Sequence, residues 1–138
     1  MSQYFDLGDQ TLWNPSNGAA RLFLLHVRVY EDELGMPTGI GPMENDECQV
    51  DPVAYEAFVN ALLEWRDRTR HEIVDALTAG FIGTAVALAE RAGVEVCWPE
   101  PRVGLEGQRD IQVPAPPRQD WVGLARERAR ELDRSMAR

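Results

Sequence analysis

The stretch DPVAYEAFVNALLEWRDRTRHEIVDALTAGFIGTAVALAERAG, residues 51–93, decides the fold. Asp51-Pro52 is a helix start, because the Asp oxygen takes exposed N–H groups and proline is preset for the first helical position. Tyr55, Phe58, Val59, Leu62 and Trp65 then recur at helical spacing, an apolar stripe facing a core. The wholly polar RDRTRHE at 66–72 interrupts it. Thr69-Arg70-His71-Glu72 has the form of a capping box, which predicts a second helix from near residue 70, with one continuous helix as the alternative. Val74, Leu77, Phe81, Ala85, Leu88 and Ala92 form the next seam. Gly80 and Gly83 within it each lower helix propensity by about 1 kcal/mol and leave room for close packing by another element.

Toward the N-terminus, QYFDLGDQTLW alternates apolar and polar residues around Gly8-Asp9 and predicts a hairpin. NPSNGAARLFLLHVRVYEDELG (14–35) predicts a helix capped by Asn14 or Ser16, with Pro15 in its first turn and Gly35 in the left-handed position after its end. Ala19, Leu22, Phe23, His26, Tyr30 and Leu34 fall at helical spacing, and Leu25 and Val29 widen the stripe. That breadth predicts burial on more than one side. The loop GMPTGIGPMENDEC holds three glycines and two prolines in its first eight residues, so it excludes regular structure and demands a specific backbone path. GIGPME is no dinucleotide loop, since Glu44 occupies the third glycine position and no βαβ unit surrounds it.

Toward the C-terminus, Gly93 ends the second helix and VEVCW (94–98) reads as a strand able to pair with the hairpin. Residues 99–119, with five of the nine prolines, form a connector. Residues 120–138 form an amphipathic helix capped at Asp120, with Trp121, Leu124, Ala125, Leu132 and Met136 in line, docking on the core or on a partner. The expected architecture is mainly α (α+β). The chain is expected to carry three or four helices and a small β element from the hairpin and residues 94–98, with residues 1–98 as the helical core.

The chain holds 138 residues, enough for one domain to bury a core without metal or disulfide. Its 14 basic residues are all arginine, so no lysine nucleophile, Schiff base or phosphate-loop lysine exists. The net charge of −9 is unevenly spread, with ten acids and two arginines (−8) in residues 1–60 and thirteen acids and twelve arginines (−1) thereafter. Clustered cations for phosphate contacts are missing from the first part, which disfavours nucleic acid. No apolar run approaches the ~20 residues of a membrane span and no signal peptide opens the chain, so the expectation is a cytoplasmic protein with Cys48 and Cys97 as packed free thiols.

Site chemistry is sparse. ENDECQVDP (44–52) has adjacent rather than alternating oxygen donors and no central glycine, unlike a calcium loop, so no metal and no cofactor are expected. Asp51 reads as a cap rather than a ligand. His26 and His71 belong to no spaced motif, and His26 reads as a hydrogen-bonded core or boundary residue. No catalytic residue is assigned.

WNPSNGAARLF (13–23), GMPTGIGPMENDEC (35–48) and DPVAYEAFVNAL (51–62) together resemble a family of small, acidic, lysine-poor actinobacterial proteins of unassigned function. The resemblance implies no catalytic or binding residues.

The leading expectation is a non-enzymatic protein-binding module, an immunity- or antitoxin-like neutraliser. It would present Glu31, Asp32, Glu33, Glu44, Asp46 and Glu47 to a basic protein, with Trp121 as an aromatic anchor. The alternatives are a homo-oligomeric helical scaffold component and a small enzyme whose acidic loop and His26 line a pocket.

Overall fold

The computed structural model describes residues 2–69, 71–100 and 121–138. In chain order the described elements are β1 (Tyr4–Leu7), β2 (Gln10–Trp13), α1 (Asn17–Leu34), β3 (Glu47–Gln49), α2 (Pro52–Arg68), α3 (Glu72–Arg91) and α4 (Trp121–Ser135). The fold is mainly helical, with a small N-terminal β element.

The hairpin forms as its alternation predicts, with Gly8 at φ +57° supplying the left-handed turn conformation. Its third strand is a correction. The sheet order is β2-β1-β3, and β3, parallel to β1 with Phe5 opposite Cys48, comes from the acidic loop rather than from residues 94–98. Val94–Trp98 instead runs along α2, bonded chiefly by Asn60. Asn60 donates its amide to Glu95 O at 2.9 Å and accepts the Cys97 N–H at 2.8 Å, mimicking the donor and acceptor of a strand neighbour.

Helix boundaries follow local chemistry. Ser16 caps α1 by accepting from Ala19 N, Gly35 ends it at φ +62°, and Pro15 lies before the cap rather than in the first turn. Asp51 Oδ1 accepts from Val53 N and Ala54 N to open α2. The break between α2 and α3 falls where the polar run places it, but by another device. Thr69 turns its hydroxyl back to Trp65 O, and His71, at the α3 N-cap, makes no side-chain cap bond. The glycines of the preceding loop act by close approach: a Cβ on Gly39, at φ +80°, would lie 2.6 Å from Tyr55 N, and one on Gly41 2.9 Å from Gln49 O.

The core centres on Phe81, whose ring stacks on Tyr30 at 4.4 Å and on Phe23 at 5.7 Å and meets Phe58 edge-on at 6.4 Å. Phe23 joins this cluster to Phe5 and Trp13 of the sheet. Such pairs add to the area burial that drives the fold. Gly83 lets α4 close on α3, with Leu132 Cδ1 and Arg128 Cγ 3.0 and 3.1 Å from where a Cβ would stand; space above Gly80 is open. Helix α3 has the length and hydropathy of a membrane span, a property the sequence reading did not find, and half of it is buried inside the protein. Connector residues 101–119 and the Asp120 cap lie outside the described residues.

Leu77 of the expected α3 seam and Leu124 of the expected α4 line are exposed rather than buried, and α1 departs at three positions. The buried residues of α1 are Ala20, Phe23, Val27 and Tyr30, a single face. Leu22, Leu25 and Val29, expected inside, are 58%, 48% and 59% exposed.

Candidate functional site

The acidic loop closes into a tight turn. Glu44 and Glu47 exchange both backbone hydrogen bonds, at 2.9 and 3.0 Å, across Asn45 and Asp46, whose φ values are +52° and +65°. Two left-handed central residues are what a two-residue hairpin turn requires, and Asn and Asp tolerate that conformation better than other side-chain-bearing residues. Part of the acidic character is therefore backbone chemistry: it brings β3 alongside β1. Asp46 O accepts from Tyr4 N at 2.8 Å, and its carboxylate accepts from Gln3 Nε2 at 3.4 Å.

That contact fixes where the acids stand. Gln3 N donates to Pro15 O, so the turn sits at the N-terminal end of α1. Glu31, Asp32 and Glu33 occupy the other end, about 20 Å away at 1.5 Å per residue. All six carboxylates are exposed, but the structure divides them into two groups.

Between the two groups runs a shallow groove of about 420 Å³ lined by Gln3, Asn17, Arg21, Leu24, Leu25, Arg28 and Met43. Arg21 and Arg28 are the two basic residues of the first 60, and among the described residues neither forms an ion pair. Down the solvent side of α1, Arg21, Leu25, Arg28 and Asp32 follow at steps of four, three and four, with Leu22 and Val29 beside them. Sequence reasoning missed this surface because hydrophobicity at helical spacing was read as burial. The signal available was Arg21 and Arg28 falling on that same side.

The other candidates are occupied internally. Trp121 donates Nε1–H to Asp67 Oδ1 at 3.1 Å, lies 4.7 Å under the Arg66 guanidinium and packs by Trp98, fastening α4 to the end of α2. His26 Nδ1 bonds Leu22 O at 2.8 Å and its ring stacks on Phe81, a boundary position apart from the acidic turn and absent from the groove lining. Cys48 is a buried thiol donating to Gly41 O at 3.1 Å, and burial pushes it up to about 11. Cys97 is free and exposed, not packed as expected. Tyr55, fully buried, donates to Ala85 O at 2.6 Å, and its hydroxyl is driven far above the ordinary tyrosine range by desolvation. Burial also raises Asp75 and lowers Arg66, although their side chains approach to 3.1 Å. The described residues hold no group of three His, Cys, Asp or Glu side chains placed to share a metal.

The model of a family of unknown function, DUF6086, matches residues 1–138. No curated protein and no solved structure matches the chain.

Proposed function

This chain belongs to DUF6086, a family of unknown function, and we propose that it is a non-enzymatic, cytoplasmic protein-binding module whose docking surface is the outer face of α1. The observation that carries this reading is Leu22, Leu25 and Val29, three aliphatic side chains about half or more exposed on one side of a helix whose other side is core. Single exposed leucines are common, but a row of them rimmed by arginines and carboxylates has the composition of an interface: an apolar centre with a charged edge. The two acidic groups then act as the ends of one mixed surface rather than as a uniform anionic face.

Site-specific photo-crosslinking from position 25 in the native host tests the reading. A discrete protein adduct is expected there, and none from position 57, an exposed site on α2. Equal labelling from both positions, or no adduct from position 25, overturns it.

The neutraliser reading retains one specific support. None of Glu31, Asp32, Glu33, Glu44, Asp46 or Glu47 forms an ion pair among the described residues, and all six are exposed, Asp46 with a hydrogen bond from Gln3. Association with a basic partner would slow steeply as salt rises, whereas an apolar contact would respond little.

A further inference from the structure

Resting on that docking reading, we propose that the occupant of the α1 outer face is a second copy of this chain, packed antiparallel across a twofold axis. The argument is charge placement. Two copies of a −9 chain repel, so a self-contact forms only where the like charge is locally interrupted. Arg21 and Arg28 make that interruption, on the same side of α1 as Leu22, Leu25 and Val29.

Helix α1 is also self-complementary from end to end. Arg21 lies in its second turn and Arg28 in its fourth, while Glu31, Asp32 and Glu33 lie toward its end. Arg21 and Asp32 share the outer side but are eleven residues, about 16 Å, apart, too far to pair within one chain. Among the described residues neither has an ion-pair partner. A twofold axis near residues 26 and 27 brings them together between copies. It sets Leu25 against the second copy's Val29, and Arg21 against the second copy's Asp32, with each contact made twice. A parallel arrangement would instead oppose the two acidic ends.

Sedimentation equilibrium on the purified full chain at low salt tests the proposal. The expected species has twice the 15.5 kDa chain mass, and Leu25→Asp gives a monomer with unchanged circular dichroism and melting temperature. Arg21→Asp raises the dimer dissociation constant by about tenfold, since symmetry counts a rim ion pair twice. Adding Asp32→Arg to it restores association. A wild-type monomer at every concentration, a folded Leu25→Asp variant that still dimerises, or a folded double reversal without rescue overturns the proposal. A monomeric wild type that still gives a position-25 adduct with another protein removes the second copy but keeps the docking surface. No adduct of any kind removes both.

Discussion

Arg91 on α3 reaches Asp133 on α4, its Nε donating to Oδ1 at 2.5 Å, while Nη1 donates to the Leu12 carbonyl and Nη2 to those of Asp133 and Met136 at 2.7–2.8 Å. One guanidinium thereby ties the hairpin, α3 and the end of α4, and its side chain is only 6% exposed. Asp133 is half-exposed, so the stabilisation rests mainly on the carbonyls, which have no substitute donor if the cation is removed. Arg91→Met is expected to cost about 3 kcal/mol in urea unfolding. Arg91→Lys should recover little of it, because a single ammonium lacks the planar fork. A loss below about 0.5 kcal/mol would remove Arg91 from this role.

The turn at Asn45-Asp46 separates backbone chemistry from charge. Asp46→Gly should leave stability unchanged or raise it, because glycine accepts φ +65° without strain and Asn-Gly is a preferred hairpin turn pair. Asp46→Val should lose about 1–2 kcal/mol, since a branched side chain resists that conformation. Thermal melts of both variants decide it. If both lose stability equally, the carboxylate contact with Gln3, and not φ, is what the position supplies.

These two sites mark the limit of what was legible in the chain. Local signals carried through: Asp51-Pro52 opened a helix, Gly35 closed one and Gly8-Asp9 turned a hairpin, because each depends on neighbours in sequence. Non-local pairings did not. Residues 94–98 have strand composition, yet the edge of β1 went to Glu47–Gln49, delivered by a turn whose Asn45 and Asp46 looked like surface acids. Likewise the breadth of the α1 apolar stripe indicated burial, whereas the aromatic cluster around Phe81 takes up only one face. The acidic candidates were legible as exposed residues, but their separation by the length of α1 depended on where Gln3 meets Asp46.

Alkaline pH should unfold this protein in two steps of sensitivity. Folded Cys48 keeps its proton to about 11, against 9.0 for an exposed thiol, because ionising it would place a charge in the core. A raised pKa means the contribution is complete below pH 9 and is lost as pH climbs through 11, about 2 kcal/mol in all. Tyr55 adds its own loss above pH 10, with the same sign. Urea midpoints at pH 8, 9.5 and 11 should therefore fall for the wild type and fall less for Cys48→Ala. The remaining slope should flatten further in Cys48→Ala/Tyr55→Phe. An unchanged slope in the double variant would place the titrating groups elsewhere.

Asn60 governs the segment after α3. Its amide supplies both partners for Glu95 O and Cys97 N, and Glu56 adds a 3.3 Å contact to Glu95 N. Because the segment is half-exposed, freed backbone groups find water, so Asn60→Ala should cost only about 1 kcal/mol. Local consequences should exceed global ones: faster amide exchange at Cys97 and faster alkylation of its thiol, with α3 exchange unchanged. Asn60→Asp discriminates the two bonds, since it can still accept from Cys97 N but cannot donate to Glu95 O, and it adds negative charge beside Glu56 and Glu95. It should keep Cys97 exchange slower than Asn60→Ala does while losing comparable stability. Equal exchange at Cys97 in wild type and Asn60→Ala would mean that the segment is held by Trp98 packing on Trp121 and not by the asparagine.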